Sequence, residues 1–292
     1  MKLKQFIKQI TPPILWNLFK FIKNQLKKLL YLKNLSHSTT FPEQRNSKAI
    51  IIANGPSFNE FYLHFKEKYD TTQFDIITVN FSLEAKEVCA FFPLYHVLID
   101  PGFFTDEFSI KRTQIMLKKV DWKINLVVPD IFYEKALTQY NVNSNISIKQ
   151  MPSRAASDLA DQQTAFHLCD KGLASAGCMN VPVMAIFLAI KLRYSNIYIT
   201  GLDMTTFRDV SCDVNCINYF NPNHFYKDSP IKNNQNMMES YRSEYIAFRQ
   251  YYFLADYAKY KCINIINLSL GSLLDAFPKG NMSGETYPFL RP

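Results

Sequence analysis

The stretch "KAIIIANGPS", Lys48–Ser57, decides how the rest of the chain is read. Three consecutive isoleucines with no polar alternation fit a strand buried on both faces, the pattern of a parallel sheet covered by helices. The run ends in Asn54-Gly55-Pro56-Ser57, a turn followed by a residue suited to cap a helix. Taken alone, such a turn is a plain strand-to-helix connection. At the carboxyl end of a parallel strand it is also where open sheets of this kind hold ligands.

Outward from that stretch, apolar runs alternate with helical patterns. Phe74–Asn80, Tyr95–Asp100, Ile124–Pro129, Asn196–Gly201 and Ile263–Leu268 read as further strands. Phe58–Lys68 (capped by Ser57), Asp106–Lys119, Ser175–Arg193 and Met238–Tyr260 read as helices. The expected class is therefore α/β: a Rossmann-like, mainly parallel sheet with helices on both faces. Residues 204–236 are polar, rich in Asn, Asp and aromatics, and weakly periodic. A stretch that long inside a domain is expected to be functional, here as a lid over a substrate.

The charge excess sits in one place. Lys2, Lys4, Lys8, Lys20, Lys23, Lys27, Lys28 and Lys33 fall in the first 33 residues, and no acidic residue precedes Glu43. Of the 33 basic residues, the 25 that remain balance 25 acidic ones, so the net +8 belongs to the amino-terminal tail. A nucleic-acid reader would spread its basic surface over the folded body, so no nucleic-acid partner is expected. Leu15, Phe19, Ile22, Leu26 and Leu29/Leu30 share a helical face in that tail, after Pro12-Pro13. Residues 1–33 are read as a basic amphipathic helix on the anionic inner face of the cytoplasmic membrane, with the body cytoplasmic. A helix that caps the fold or joins a homo-oligomer is the plainer alternative. Residues 34–46 read as a polar linker and 47–292 as a single α/β domain, for which the resemblance named below implies nucleotide-sugar binding.

The six cysteines form no CxxC pair. Cys89, Cys169, Cys178 and Cys262 lie in apolar stretches and read as buried thiols. Cys212 and Cys216 are spaced for a local disulfide or half a metal site, but no second pair completes one. The chain lacks G-x-G-x-x-G, a GKS/GKT phosphate loop, G-x-S-x-G, D-x-D and paired-histidine zinc motifs. What remains are neutral polar groups at strand ends. Asn54 and Asn80 can hydrogen-bond a ribose or base, and the amides after Gly55 can seat a phosphate. Ser175-Ala176-Gly177 would open the long helix and offer a second anion seat. His96, His64 and His167 fall in strand or helix patterns and read as packed or surface residues. His224, in the aromatic lid "YFNPNHFYKDSP", has the chemistry of a general base.

Four blocks, "IIIANGPSFNE" (Ile50–Glu60), "ITVNFS" (Ile77–Ser82), Ser175–Met204 and "INIINLSLGSLLDAF" (Ile263–Phe277), together resemble bacterial sialyltransferases of glycosyltransferase family 42, the Campylobacter-type lipooligosaccharide group. The first block alone is shared with MptE-like pyrophosphokinases, which stand as the alternative. The resemblance implies transfer of sialic acid from a CMP-sugar to a glycan or glycolipid acceptor, with inversion and without a metal or other cofactor. It implies nucleotide contacts at Asn54, Gly55, Ser57, Asn80, Ser175, Gly177, Gly201 and Asp203, with His224 as general base. Phe81, Asp100 and Thr205 stand where the family has Gln, Asn and Tyr. Asp100 would thus lie at the donor site, Tyr219 or Tyr226 would supply the phenol on the leaving phosphate, and a related nonulosonate stands beside sialic acid as donor sugar.

Overall fold

The structure, a computed structural model, describes residues 41, 44–208, 210–220, 231–232 and 236–286. The basic tail, most of the linker, His224 and Tyr226 lie outside them. Seven strands form one sheet: β1 (Lys48–Ile52), β2 (Asp75–Val79), β3 (Tyr95–Val97), β4 (Ile124–Pro129), β5 (Ile146–Met151), β6 (Asn196–Thr200) and β10 (Asn264–Asn267). Their order is β10-β6-β1-β2-β3-β4-β5, and every pairing is parallel. The α/β, Rossmann-like class expected from the sequence is the class observed.

Parallel strands need crossovers, and these carry the helices to both faces. Ile50 and Ile52 point into one core with α1 (Ser57–Lys68), α2 (Glu107–Lys118) and α3 (Tyr133–Tyr140). Ala49, Ile51 and Ala53 point into the other, with α4 (Gln162–Asp170), α5 (Val181–Lys191) and α6 (Met237–Tyr260). This alternation explains why β1 reads as an unbroken apolar run. In α5, residues Val181–Ile190 are buried without exception, as expected for a helix apolar on every side.

Several boundaries differ from expectation. β3 ends at Val97, short of Asp100, and β5, α3 and α4 have no counterpart among the elements the sequence pattern predicts. β5 has a half-polar sequence, "ISIKQM", because it is the sheet edge and only its ends are buried. The long helix starts at Val181, so Ser175-Ala176-Gly177 do not open it. Gly177 has φ +124°, outside any helix, and Pro182 supplies the first-turn signal instead. Ser57 does not cap α1, since it lies inside the first turn and Pro56 holds the cap position without a side-chain bond. Part of the expected lid is regular: β7 (Val210–Cys212), β8 (Asn218–Phe220) and β9 (Ile231–Lys232) form an antiparallel sheet. Of the thiols, Cys169 is buried, Cys89 and Cys178 half-buried, and Cys262 exposed against expectation. Cys212 and Cys216 are exposed and free.

One buried charge is fully accommodated. The Asp75 carboxylate at the start of β2 accepts from the Arg45 and Asn46 amides, Asn46 Nδ2 and the Tyr194 hydroxyl (2.7–3.2 Å). No helix among the described residues is long and apolar enough to cross a membrane.

Candidate functional site

All seven strands run the same way, so their carboxyl ends share one edge. The chain steps outward from β1 to β5 and then returns to β6 on the other side of β1, which makes the β1–β6 junction the topological switch point. That junction is tightly filled. The Ala53 amide donates to the Thr200 carbonyl (2.9 Å) and the Gly55 amide to that of Gly201 (2.7 Å), extending the ladder past both strands. A Cβ on Gly55 would lie 2.0 Å from Asp203 Oδ2 and 2.5 Å from the Gly201 carbonyl. On Gly201, whose φ is +71°, it would lie 2.4 Å from the Ala53 carbonyl. Both glycines are required by close approach.

Asp203 is nine-tenths buried, and its Oδ2 accepts from the Ser57 amide at the start of α1 (3.2 Å). A carboxylate is favoured there because helix N-terminal amides are unpaired and positive. The expected phosphate seat after Gly55 thus already has an internal anion on one of its amides. Ser57 Oγ donates to Ser269 Oγ (2.7 Å), Ser269 Oγ accepts from the Leu202 amide (3.2 Å), and Ser272 Oγ donates to the Leu202 carbonyl (2.6 Å). These hydroxyls knit the ends of β1, β6 and β10. Ser269 and Ser272 lie inside the fourth resembling block, and no pattern in the sequence marks them separately.

The edge on the β2 side is different. Ile52 pairs with Thr78 and with Thr200, and Thr78 pairs with His96, so these four share one level across β6, β1, β2 and β3. Partners in a parallel register point to one face, here that of α1. Asn54 and Asn80 follow two residues beyond Ile52 and Thr78. On these two levels Asn54 Oδ1, Asn80 Oδ1, Thr200 Oγ1 and His96 Nε2 are buried without a hydrogen-bond partner. Buried polar atoms are almost always paired, so four unpaired ones grouped at the carboxyl ends of the strands are where water or a ligand finds polar groups to meet. Asn80 also has φ +51°, in the left-handed region that Asn tolerates better than most residues. His96 is fully buried, with Nδ1 2.9 Å from Thr78 Oγ1. Burial lowers its pKa from 6.5 to about 3, with the Asn80 backbone acting weakly the other way, so the ring is neutral at ordinary pH.

The remaining expected residues serve local structure in part. Asp100 is exposed and accepts from the Gly102 amide (2.8 Å), which closes the turn after β3. Phe81 packs on Phe103, and the Arg112 guanidinium lies 3.8 Å from its ring centre while pairing with Glu84 (2.6 Å). Ser175 bridges to Ala155 and accepts on Oγ from the Gly177 amide (3.1 Å). Gly177 abuts Gln250 of α6, where a Cβ would fall 2.1 Å from Nε2, and Gln250 Oε1 accepts from the Met179 amide (3.1 Å). The Ser175–Gly177 loop is therefore clamped to α6 by Gln250. Tyr219 lies on β8 and donates to Asp213 (3.3 Å); desolvation, and after it the Asp213 carboxylate, raises its pKa. Asp130, after β4, accepts from the Ser153 amide (3.0 Å) and Ser153 Oγ (2.6 Å), a link between β4 and β5 that the sequence did not signal. Among the described residues no three His, Cys, Asp or Glu side chains group as metal ligands.

A family model described as "6-hydroxymethylpterin diphosphokinase MptE-like" matches residues 17–209, well over half of the chain. A search of curated proteins gives no match. Among solved structures, the sialyltransferase CstII from Campylobacter jejuni, in complex with the substrate analogue CMP-3FNeuAc, is 15% identical, with 82% of this chain and 88% of that chain covered and a TM-score of 0.45.

Proposed function

We propose that this chain, which belongs to the 6-hydroxymethylpterin diphosphokinase MptE-like family, is a transferase that takes a nucleotide-activated donor at the carboxyl edge of β1 and β2. The observation that carries this reading is the pair of buried, unpartnered amide oxygens, Asn54 Oδ1 and Asn80 Oδ1, on adjacent strands. Both are neutral acceptors, suited to the hydroxyls of a ribose or the amine of a base rather than to a phosphate. The finer reading is transfer of sialic acid or a related nonulosonate from a CMP-sugar to a surface glycan, with inversion and no metal. It is supported by the four sequence blocks, which include both asparagines and the Gly201–Asp203 strand end.

In this reading the asparagines orient the nucleotide and His224 takes the proton of the acceptor hydroxyl. Tyr219 or Tyr226 stabilises the departing phosphate, which is where charge develops in the transition state. Holding acceptor and donor together under the 204–236 segment limits attack by water. The basic tail places the enzyme at a membrane where lipid-linked acceptors lie.

The family match favours a second reading, diphosphate transfer from a nucleoside triphosphate. That chemistry needs carboxylates for magnesium. Asp100 and Asp203 are the strand-end pair available, and each already holds a backbone amide with one oxygen. Calorimetric titration with CMP, ATP and GTP, with and without Mg²⁺, separates the two. CMP binding without Mg²⁺ is the expected result; binding of ATP or GTP only with Mg²⁺ would replace it with the second reading. Release of CMP from a CMP-nonulosonate, accelerated by a glycan acceptor and lost in His224→Ala, completes the test. Release indifferent to any acceptor would refute glycosyl transfer.

A further inference from the structure

β10 is an edge strand, and beside its outer side lies a groove of about 410 Å³. Ala255 and Ala258 of α6, Ile265 of β10, and Ala276, Phe277 and Pro278 wall it. Packed interiors leave few voids larger than a water molecule, so an apolar space of this size has room for side chains from outside it. At its carboxyl end β10 is paired on the outer side. The Asn267 amide donates to the Pro278 carbonyl (2.9 Å) and the Gly280 amide to the Asn267 carbonyl (3.3 Å). Lys279 thus bridges to Asn267 in parallel, and the chain bends at Ala276–Phe277, which leaves Asn264 and Ile265 bordering the groove. Beyond Gly280 the chain turns back. Thr286 bridges to Gly280 in the antiparallel sense, and the Asn281 amide donates to the Glu285 carbonyl (3.0 Å). In that sense each residue past Thr286 comes level with one before Gly280. Tyr287 is then level with Lys279, Pro288 with Pro278, Phe289 with Phe277 and Leu290 with Ala276. The last two pairs fall at the groove. Phe289 is three residues past Thr286, about 10 Å of extended chain, the same number that separates Phe277 from Gly280. Neither proline has an N–H to pair, so side chains rather than ladder bonds must hold this stretch.

We propose that the segment Tyr287–Leu290 runs back along Lys279–Phe277 and seats Phe289 and Leu290 in this groove, covering the outer edge of β10 at Asn264 and Ile265. The occupant is thus the chain's own, a strap over the sheet edge. The two alanines of α6 give the space, the Gly280–Thr286 bridge gives the direction, and the large apolar pair arrives where both meet. An edge covered in this way no longer offers its backbone groups to a strand of another molecule. The groove lies at the β10 end of the strand order, two strands from β1, so the proposal stands independently of the nucleotide reading.

Cys262 also lines the groove and is a free thiol, which makes it a reporter, while Cys212 and Cys216 are exposed on and just after β7. The full chain is treated with N-ethylmaleimide, and labelling of each thiol is followed by peptide mass spectrometry. Phe289→Asp is expected to speed labelling of Cys262 by about fivefold or more while Cys212 and Cys216 stay within about twofold, as fits a local opening. Tyr287→Asp, level with Lys279 and outside the groove, is expected to leave all three within about twofold. Equal labelling of Cys262 in Phe289→Asp and the unchanged protein would overturn the proposal. Should the buried Cys169 label faster as well, the variant has lost its fold, and a crosslink decides instead. Phe289→Cys is treated with a short bismaleimide, and a link within one chain from position 289 to Cys262, in preference to Cys212 or Cys216, is expected. The absence of that link, or an equal yield from Tyr287→Cys, would overturn the proposal. A covalent dimer whose yield rises with protein concentration would place a second copy's segment in the groove, and that too would overturn it.

Discussion

The β1–β6 junction and the β1–β2 edge are adjacent, yet they are built in opposite ways. At the first, two glycines and Asp203 bring backbone atoms together so closely that no Cβ fits, and serine hydroxyls and amides complete each other's hydrogen bonds. At the second, the buried side-chain oxygens of Asn54 and Asn80 have no hydrogen-bond partner in the chain, and one level below them Thr200 Oγ1 and His96 Nε2 are likewise unpartnered. The switch point, where general topology places a ligand, is filled by the protein's own atoms. Unpartnered side-chain oxygens gather one strand over. The difference separates residues that build the edge from residues that can read a ligand, although both kinds occur in the same five-residue turn.

The largest test of this division is Gly55→Ala. The added methyl would stand 2.0 Å from Asp203 Oδ2 and 2.5 Å from the Gly201 carbonyl, so strands or loop must part. A loss of about 3–5 kcal/mol is expected, the range of severe core disruption, read from urea denaturation. Combining it with Asp203→Gly should recover only part, because the Gly201 carbonyl remains. Unchanged stability in Gly55→Ala would mean that the junction is open enough to hold a ligand after all.

Acid stability probes the other region. Burial holds the folded pKa of His96 at about 3 against an ordinary 6.5. Between those values the unfolded chain binds a proton that the folded one does not, so stability must rise with pH across that window and fall as pH drops from 6.5 towards 3. The contribution is on the order of 5 kcal/mol over the whole window. His96→Phe should flatten that part of the stability–pH curve, though carboxylate losses below about pH 4 remain. A curve of the same slope in the variant would show that His96 is hydrated and titrates normally.

How much of this was legible in the sequence depends on which force set each feature. β1, β2 and β4 were legible because burial on both faces leaves an uninterrupted apolar run. β5 was not, because a sheet edge needs apolar residues only where it is covered. α5 starts six residues later than the pattern predicts, since "SAGCMN" is small and apolar enough to continue a helical pattern. Its actual conformation is set by Gln250, which lies more than seventy positions away. At the site, Asn54 and Asn80 stood out as polar residues ending apolar strands. His96 did not, because a histidine inside an apolar strand reads as packing, and only its Thr78 contact and its unpartnered Nε2 set it apart. Likewise, Asp203 as the cap of α1 depends on a contact across 146 positions.

That cap provides a smaller test of the junction. Asp203→Asn keeps an acceptor for the Ser57 amide but removes the charge that complements the start of α1. A stability loss of about 1 kcal/mol is expected, in line with single charge–helix and capping terms, measured as a shift in the urea midpoint at constant slope. A loss several times larger would mean that the carboxylate supports more than one amide. A gain would mean that its burial costs more than the cap returns.

The smallest expected effect on stability is paired with a clear one on binding, and it bears on the β1–β2 edge directly. Asn54→Ala removes a buried oxygen that has no partner, so little is lost from the fold and some desolvation cost is relieved. Asn80→Gly likewise removes an unpaired oxygen, and it also frees the backbone from the left-handed region that φ +51° imposes on a side chain. Stability in both should stay within about 1 kcal/mol of the unchanged protein. Nucleotide affinity should fall by about tenfold in each, because each variant lacks an acceptor that the ligand would have satisfied. The asymmetry between the two readouts is the informative part. Residues that build the edge, such as Gly55, must lose stability before they lose binding; residues that read a ligand must do the reverse. If Asn54→Ala and Asn80→Gly lost stability and affinity in proportion, their oxygens would have to be satisfied within the folded protein, for example by ordered water, and the two regions would differ only in how tightly they are packed.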